Sequence, residues 1–474
     1  MTPAAIAANR FGIGMRGDAT PAADPMAALR QELSRFQPRP AALASVPDRK
    51  AAAEALEQLR MAKRESKQPA SGAAAAPAGA ARDDTARSAA RHEVRDLYID
   101  NVGARVNAAL QTTTPWLERL VHFWSNHFAV SVDKQPVLAY AGLLEFEAIR
   151  PQLLGRFADL LIAVEHHPAM LLYLDQAQSI GPDSVVGQRR SGFGAKQHGL
   201  NENLAREILE LHTLGVRSGY SQNDVTELAR ALTGWTVAGL GGGRARRFFG
   251  AEAAPGDAFF RDQQHQPGTR QILGKHYGSS GARQSHAVLA DLARHPATAQ
   301  HIAGKLARHF AGDSPSSELV TRLSRTFLET DGDLPQLYRT LLEAPECWNS
   351  AALKFKSPWE WSLSALRSIN LDSVEARAAA GMLLELGQAV WKPGSPAGYD
   401  DLAASWAAPD ALVRRVEAGQ RIAQRAPRGL DARALAAQVL PGGVSENTAK
   451  VLAQAESGTQ ALALLWASPE FLRR

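Results

Sequence analysis

The stretch NENLAREILELHTLG, residues 201–215, is one amphipathic helix by its periodicity, with more acid, amide and imidazole than packing alone requires. On a helical wheel of 100° per residue, an apolar stripe runs along one side of this helix, formed by Leu204, Ile208 and Leu211. Asn203, Glu207 and Glu210 form a polar stripe directly beside it. Glu207 is nearest to the border between the two stripes, so it is the carboxylate whose charged form is most disfavoured by loss of water.

Two interpretations of this polar stripe are open. In the first, the charges belong to an ordinary exposed helix face, because Arg206 is spaced to form i,i+4 ion pairs with both Glu202 and Glu210. In the second, Asn203, Glu207 and Glu210 face a cleft as ligands or as an acid/base set, since carboxylates with disfavoured charge are frequent at active sites. The residues alone do not choose between them.

A second polar position lies on the helix predicted for TPWLERLVHFWSNHF, residues 114–128. His127 falls near the middle of a broad face of large apolar side chains, so we expect it to be buried and mostly neutral, with a partner for each ring nitrogen. One interpretation is a core histidine bonded to the backbone. The other is a ligand or general base that meets the helix at 201–215, with Asn126 beside it.

Composition excludes several classes of protein. Of the 474 residues, 45% are apolar and 21% are charged, as in an ordinary globular protein. The single cysteine, Cys347, excludes a disulfide framework and a thiolate metal site built within one chain. No run approaches 18 apolar residues, so no membrane span is expected. The net charge of +5 is a weak field, and no Lys/Arg-rich stripe alternates with aromatic residues, so no nucleic-acid partner is expected.

Helical periodicity recurs along most of the chain and predicts an all-α, multi-helical globular body with long irregular loops. At most one small β-hairpin is expected, within the glycine-rich segment 237–274. Residues 67–90 are rich in Ala, Ser, Gly and Pro and nearly free of large apolar side chains, so we expect a flexible linker there, disordered or loosely helical. This linker would separate an N-terminal helical segment, residues 1–66, from a main helical domain, residues 91–474.

Helix starts are predicted where a capping side chain precedes a helical pattern: Asp24 before Pro25, Ser221 with Asp224, and Ser357 before Pro358. Residues 176–200 are expected to form a long loop that leads into the polar helix as a lid or mouth. The first residues, MTPAAIAANRFGIG, lack the features of a signal peptide, so we expect a cytoplasmic protein.

Eight stretches of the chain resemble motifs of one known family. They are IAANRFGIG at 6–14, FWSNHFAVS at 123–131, PAMLLYLD at 168–175, NENLAREILELHTLGV at 201–216, DVTELARALTGWT at 224–236, HPATAQHIAGKLARHF at 295–310, DGDL at 331–334 and KSPWEW at 356–361. On these motifs the chain resembles the bacterial family catalogued as domain of unknown function 1800. The resemblance implies a mostly helical fold and no established activity. Family members are often encoded beside a second uncharacterised family, domain of unknown function 1501, which implies a companion protein of that family as a partner. Many members carry export signals, for which this sequence shows no counterpart.

Two positions depart from the pattern of that family. The family usually has His-Asp-Pro-Gly followed by Lys where this chain has HQPG at 265–268 and Arg270, and the missing acid weakens a metal-binding role for this loop. The family also tends to have Gly-Trp where this chain has Gly398-Tyr399, and the tyrosine keeps an aromatic ring for packing.

These observations lead to two hypotheses about function. In the first, the protein is an enzyme of hydrolytic or metal-assisted type, in which Glu207 and His127 act as acid/base groups or ligands. Its catalytic residues would be His127, Asn126, Asn203, Glu207 and Glu210, and its substrate-binding residues Asp175, Arg206 and Trp235. In the second, the protein is a non-catalytic scaffold or partner subunit, and the same polar groups form a buried network that fixes helix packing. Neither a metal nor a cofactor is identified by the sequence.

Overall fold

The computed structural model describes residues 1–65, 78–191, 199–239, 253–279, 281–351 and 354–474. It confirms the all-α class. The α-helices of the N-terminal half are Pro3–Ile6, Pro25–Arg35, Arg49–Glu65, Ala78–Gln111, Pro115–His127, Gln135–Leu138, Ala141–Leu143, Arg150–Gln152, Phe157–Glu165, Pro168–Tyr173, Val185–Ser191, Asn203–Glu207 and Gln222–Leu232. Those of the C-terminal half are Ala282–Ala293, Pro296–Ala311, Ser317–Glu329, Leu334–Glu343, Pro358–Ser368, Ala376–Glu385, Ala403–Trp406, Pro409–Ala423, Ala432–Val439, Glu446–Ala453 and Gly458–Ala467.

Short turns of other helix types complete the helical body. The 3₁₀ turns in the described residues are Ala41–Leu43, Gln176–Gln178, Asp262–Gln264 and Pro345–Trp348. The π turns are Ala7–Phe11, Leu144–Ile149 and Ile208–His212. A π turn holds one residue more than an α turn and is frequent at functional sites.

Capping residues set several helix starts as predicted. Asp24 accepts a hydrogen bond from the Ala27 amide at 2.9 Å and begins the helix Pro25–Arg35. Ser221 and Ser357 each form a capping box with an acidic residue three positions later. These caps satisfy amide groups that the first helical turn leaves without partners.

Two predicted elements have different bounds in the structure. The polar helix begins at Asn203 and ends at His212, and its second half is a π turn, so the wheel drawn with α spacing loses register after Glu207. Part of the expected loop at 176–200 is the helix Val185–Ser191, which begins where the Ser184 hydroxyl accepts a hydrogen bond from the Gly187 amide at 3.1 Å. The remainder of that loop includes residues 192–198, which lie outside the described residues.

The linker predicted for 67–90 is helical in its described part. One helix runs from Ala78 to Gln111, across the predicted end of the linker at residue 90, because alanine favours the helix and because Ala90 and Val94 are buried in the core. Residues 66–77 lie outside the described residues. The segment before them shares one hydrophobic core with the rest, to which it contributes Phe11 and Leu29.

Two short antiparallel sheets occupy the segment in which a small hairpin was expected. Trp235–Val237 pairs with Ala258–Phe260, and Arg270–Ile272 pairs with Lys275–Tyr277. The second pair is a tight hairpin in which Leu273 and Gly274 both have positive φ, 49° and 76°. Leucine is an unusual residue for such a turn, which favours Asn-Gly or Gly, so its sequence gave no turn signal. Within the described residues, no helix is both long and apolar enough to cross a membrane.

Candidate active site

A cavity of about 140 Å³ lies beside the C-terminal half of the helix Pro115–His127. Its other walls are the helix Pro296–Ala311, the start of the helix Pro358–Ser368 and the loop at 388–402. The lining combines apolar surface with many charged side chains. It includes five cationic side chains, Arg105, Arg119, Lys305, Arg308 and Lys354, and three carboxylates, Glu360, Asp400 and Asp401.

A histidine–aspartate pair lies in this wall. His309 Nδ1 is 3.0 Å from Asp401 Oδ2. Burial lowers the pKa of His309 to about 4, against the opposing effect of Asp401, so the ring is neutral at pH 7. A neutral ring that donates its Nδ1 hydrogen to Asp401 leaves Nε2 as an acceptor. Nε2 has no hydrogen-bond partner within the described chain.

Asp401 is held as a carboxylate by its neighbours. Lys354 Nζ lies 3.2 Å from Asp401 Oδ1 and 2.8 Å from Asp313 Oδ1. Burial by itself would raise the pKa of Asp401, but the interaction with His309 and the nearby cations Lys354 and Arg474 lower it overall. Asp401 can therefore orient the imidazole without taking its proton, which is the role of the aspartate in hydrolytic triads.

Glu360 forms the floor of the cavity with two arginines. Its Oε1 lies 2.9 Å from Arg474 Nε and also bonds Arg119 Nη1. Arg119 also donates to two backbone carbonyls: that of Asn9, within the first π turn, at 3.1 Å, and that of Gly12, just after this turn, at 2.8 Å. Because these charges are paired with one another and bound to backbone, they fix the floor in place and leave little charge for a ligand.

Lys305 and Arg308 differ from the other cations of the lining. Neither has a hydrogen-bond or ion-pair partner among the residues that the structure describes. They lie three positions apart on the helix Pro296–Ala311, so both project from one face of it. Burial lowers the pKa of Lys305 to about 8, Arg308 acts in the same direction, and Asp401 opposes it. Arg308 is exposed, which places its guanidinium at the opening of the cavity.

His127 is buried and neutral, as predicted, with only 1% of its surface exposed. Burial is the largest cause that lowers its pKa well below the ordinary value, and the neighbouring Lys305 and His301 add to it. Its Nε2 lies 3.2 Å from the carbonyl oxygen of His212, in the π turn of the polar helix. Nδ1 has no hydrogen-bond partner within the described chain. His127 therefore contacts the polar helix through a backbone carbonyl, the kind of bond expected of a core histidine, and its role as a ligand or general base stays a prediction.

Glu165 and His212 form a buried pair behind His127. His212 Nδ1 is 2.7 Å from Glu165 Oε1, and both side chains are almost fully buried. The rings of His127 and His212 have centroids 6.1 Å apart, and the rings of His127 and His301 have the same separation. His301 Nε2 in turn lies 3.0 Å from the carbonyl oxygen of Leu211. The π turn thus connects the polar helix to the cavity wall through three imidazoles.

The residues predicted for the site do not all lie at the cavity. His127 and Asn126 line the cavity, whereas Asp175 and Asn203 line an open hollow elsewhere, beside Asn201. Glu207 lines neither. Its pKa is raised, chiefly by burial, as the sequence predicted for the carboxylate nearest the apolar stripe.

The remaining predicted residues make local contacts. Arg206 is 3.4 Å from Glu210 and 3.7 Å from Glu202, which confirms both predicted i,i+4 pairs. Trp235 donates to the Ser285 hydroxyl at 3.0 Å and packs on His166. These three residues, Arg206, Glu210 and Trp235, do not line the cavity.

Asn126 binds the loop that carries Asp401. Its Nδ2 donates to the Tyr399 carbonyl at 2.8 Å, and its Oδ1 accepts from the Tyr399 amide at 2.7 Å. Gly398 packs so closely that an added Cβ would lie 2.3 Å from the Asn126 carbonyl oxygen. The Tyr399 hydroxyl lies 2.6 Å from the Ala389 carbonyl oxygen and 2.7 Å from that of Lys392, and its single hydrogen can be donated to either, so tyrosine anchors the loop at this position.

Sequence reasoning missed His309, Asp401, Lys305 and Arg308. One signal was available in HPATAQHIAGKLARHF at 295–310, where His301, Lys305, Arg308 and His309 are spaced as one face of a helix. No comparable signal marks Asp401, because the irregular loop that carries it has no periodicity. Within the described residues, no three His, Cys, Asp or Glu side chains are grouped so as to hold a metal ion.

Comparison with known proteins gives one match. A family model described as "Protein of unknown function (DUF1800)" matches residues 6–473. No curated protein and no solved structure matches this chain significantly.

Proposed function

The chain belongs to the family described as protein of unknown function DUF1800, and we propose that it is an enzyme that binds a small anionic substrate in the cavity beside the helix Pro115–His127. The observation that carries this proposal is the presence of Lys305 and Arg308 in the cavity wall without partners. Cations brought out of water are normally paired with acids, as Lys354 is here. Lys305 lacks such an acid, and the exposed Arg308 adds a second positive charge on the same helix face, so the two side chains are suited to bind a negative charge.

The size of the cavity limits the substrate. A cavity of about 140 Å³ resembles the engineered protein cavity of about 150 Å³ that holds benzene. The part of the substrate that enters therefore has about six non-hydrogen atoms. Arg308, at the opening, is placed to bind the anionic group, and the less exposed Lys305 lies one helical turn before His309.

General acid–base catalysis is the chemistry that the enclosed groups support. His309 Nε2 can accept a proton and return it, while Asp401 holds the ring through Nδ1. Asn126 acts as a positioning residue, since it holds the Tyr399 backbone and with it the loop of Asp401. Hydrolysis, the reaction predicted from the sequence, needs the same proton transfer and stays a prediction.

Binding of small anions tests this proposal. We expect inorganic phosphate or a small carboxylate to raise the midpoint of thermal unfolding, because a ligand at about 100 times its Kd stabilises the folded state by about 2.7 kcal/mol. The shift should be lost in Arg308→Gln and kept in the control Arg325→Gln, since Arg325 lies on an exposed helix face outside the cavity. The proposal is wrong if no small anion shifts the midpoint, or if the shift persists in Arg308→Gln. Turnover, once a substrate is found, should fall in His309→Gln while binding remains.

A second candidate function is that of a partner subunit, as the implied companion protein would require. Leu384 and Val413 are 60% and 57% exposed. Their helices are joined by the Arg421–Glu385 ion pair at 2.6 Å, so both side chains belong to one region of the surface. Light scattering of the purified chain alone and with a companion protein of the domain of unknown function 1501 family would test this role. A stable complex that Leu384→Ser and Val413→Ser weaken would support it.

A further inference from the structure

We infer that the substrate is a small carbonyl compound bearing an anionic group, such as a 2-oxo acid, and that Lys305 binds its carbonyl carbon covalently as an imine. This inference rests on the proposed function, because it names the substrate class of the same cavity. A difference between Lys305 and Lys354, the two lysines of the cavity lining, supports this inference. Lys354 is held by Asp313 and Asp401, whereas Lys305 has no partner in the described chain.

The surroundings of Lys305 lower the free energy needed to remove its proton, so its neutral, nucleophilic form is reached more readily than in an exposed lysine. A lysine becomes a nucleophile when it is removed from water or placed beside another cation. Lys305 meets both conditions, because it lies in the cavity wall and Arg308 follows three positions later on the same face. His127, His301 and His309, the imidazoles around it, all have lowered pKa values, with burial the largest cause. Asp401 is the acid that acts on it in the opposite sense.

The same arrangement explains why the carbonyl compound would be an anion. Arg308 at the opening supplies a fixed positive charge, and a guanidinium is well suited to a planar carboxylate. A carboxylate bound there directs the adjacent carbonyl carbon toward Lys305, deeper in the cavity. A three-carbon 2-oxo acid such as pyruvate has the size, about six non-hydrogen atoms, that the cavity accepts.

The covalent step balances with protein groups and substrate alone. Lys305 Nζ attacks the carbonyl carbon, and the C–N bond forms as the carbonyl electron pair moves to oxygen. The two hydrogens of the amine pass to that oxygen, which leaves as water, and a C=N bond remains. His309, with Nε2 free and Nδ1 bound to Asp401, is the group placed to carry these protons.

Reductive trapping tests the inference on the wild-type protein. The full chain is incubated with pyruvate and sodium borohydride, which delivers hydride to the imine carbon and leaves a stable secondary amine. Peptide mass spectrometry then locates the adduct. We expect modification at Lys305 well before the exposed Lys50 and Lys275, and none at Lys354, the matched control within the same cavity. Arg308→Gln should reduce trapping of pyruvate and leave trapping of the uncharged acetone unchanged.

The outcomes separate this inference from the proposed function. Trapping that is absent at Lys305, or no faster there than at exposed lysines, overturns the inference. If phosphate or pyruvate still protects the protein against unfolding in an Arg308-dependent manner, the proposed anion site stands and only the imine fails. If protection is absent as well, both fail. Lys305→Arg, which keeps the charge and cannot form an imine, should abolish trapping while anion protection is retained.

Discussion

Replacing Asn126 by alanine should release the loop that carries Asp401. The asparagine side chain makes two hydrogen bonds to the backbone of Tyr399, at 2.8 and 2.7 Å. No other side chain within the described residues bonds both backbone groups of Tyr399. In the alanine variant both would have to find water or remain unsatisfied, and Asp401, two residues later, would lose its fixed position beside His309.

The expected magnitude follows from these two bonds. A hydrogen bond contributes about 1 kcal/mol net, so Asn126→Ala should lower the free energy of local opening by about 2 kcal/mol. Since about 1.4 kcal/mol is a factor of ten, the loop should open roughly 30 times more often. Asn126→Asp keeps the acceptor for the Tyr399 amide and loses the donor to its carbonyl, so its effect should be about half as large in free energy.

Native-state hydrogen exchange measures this opening directly. The Tyr399 amide should exchange roughly 30-fold faster in Asn126→Ala, which corresponds to the 2 kcal/mol above. The Ala27 amide, which bonds Asp24 Oδ1 at 2.9 Å in the exposed cap of another helix, exchanges by its own local opening and serves as the internal control, which should not change. Unchanged exchange at Tyr399, or an equal acceleration at Ala27, would refute the argument that Asn126 holds this loop.

Three further perturbations have outcomes that the structure specifies. Arg150→Met should lower the free energy of unfolding by about 3–5 kcal/mol, because it leaves Glu118 buried without the arginine that binds it at 2.7 and 3.0 Å. Denaturant unfolding should show that the double variant Glu118→Gln/Arg150→Met recovers most of this loss. Additive losses in the double variant would contradict the reasoning. Burial raises the pKa of Glu32 from 4.5 to about 8, so between these values the folded state holds a proton that the unfolded state lacks, and stability falls as pH rises. Relative to Glu32→Gln, the free energy of unfolding of the wild type should fall by up to about 1.4 kcal/mol per pH unit in this window. Parallel plots of this free energy against pH for the two proteins would show that Glu32 does not titrate there. Gly398→Ala should lower the free energy of unfolding by about 2 kcal/mol or more, because φ is +84° and the new Cβ would lie 2.3 Å from the Asn126 carbonyl oxygen. Gly394→Ala, whose Cβ would have no atom within 4 Å, is the control and should leave stability unchanged. Thermal unfolding of both variants measures the difference.

Much of the fold could be predicted because helix signals are local. The caps at Asp24, Ser221 and Ser357 act through residues two or three positions away, so the sequence carries the whole signal. The π turn at Ile208–His212 could not be predicted, since it depends on what the helix meets: the Thr213 hydroxyl donates to the Ile208 carbonyl at 2.6 Å, and the His212 carbonyl is bonded by His127. Packing of this kind joins residues far apart in the chain.

The candidate site was predicted only in part for the same reason. The burial of His127 followed from its position among large apolar side chains, and its contact with the polar helix was anticipated. The importance of Glu207 was inferred from its place at the edge of an apolar stripe, but that carboxylate does not line the cavity. Asp401 and His309 are 92 positions apart, and only the folded loop, anchored through Asn126, brings them together.

In a regular α-helix, each added residue changes both the length of the helix and the direction in which later side chains point. The π turns break this relation, because they add a residue with little change in that direction. Each contains one residue more than an α turn, so a single-residue deletion within Ile208–His212 could leave a continuous helix of α geometry. The side chains on either side of the deletion would keep nearly the same relative rotation, because a π turn completes its rotation with one residue more than an α turn. A deletion within a regular α-helix would instead rotate every later side chain by about 100°. In this segment, therefore, we expect loss of one residue to shorten the helix while the flanking buried contacts keep their faces.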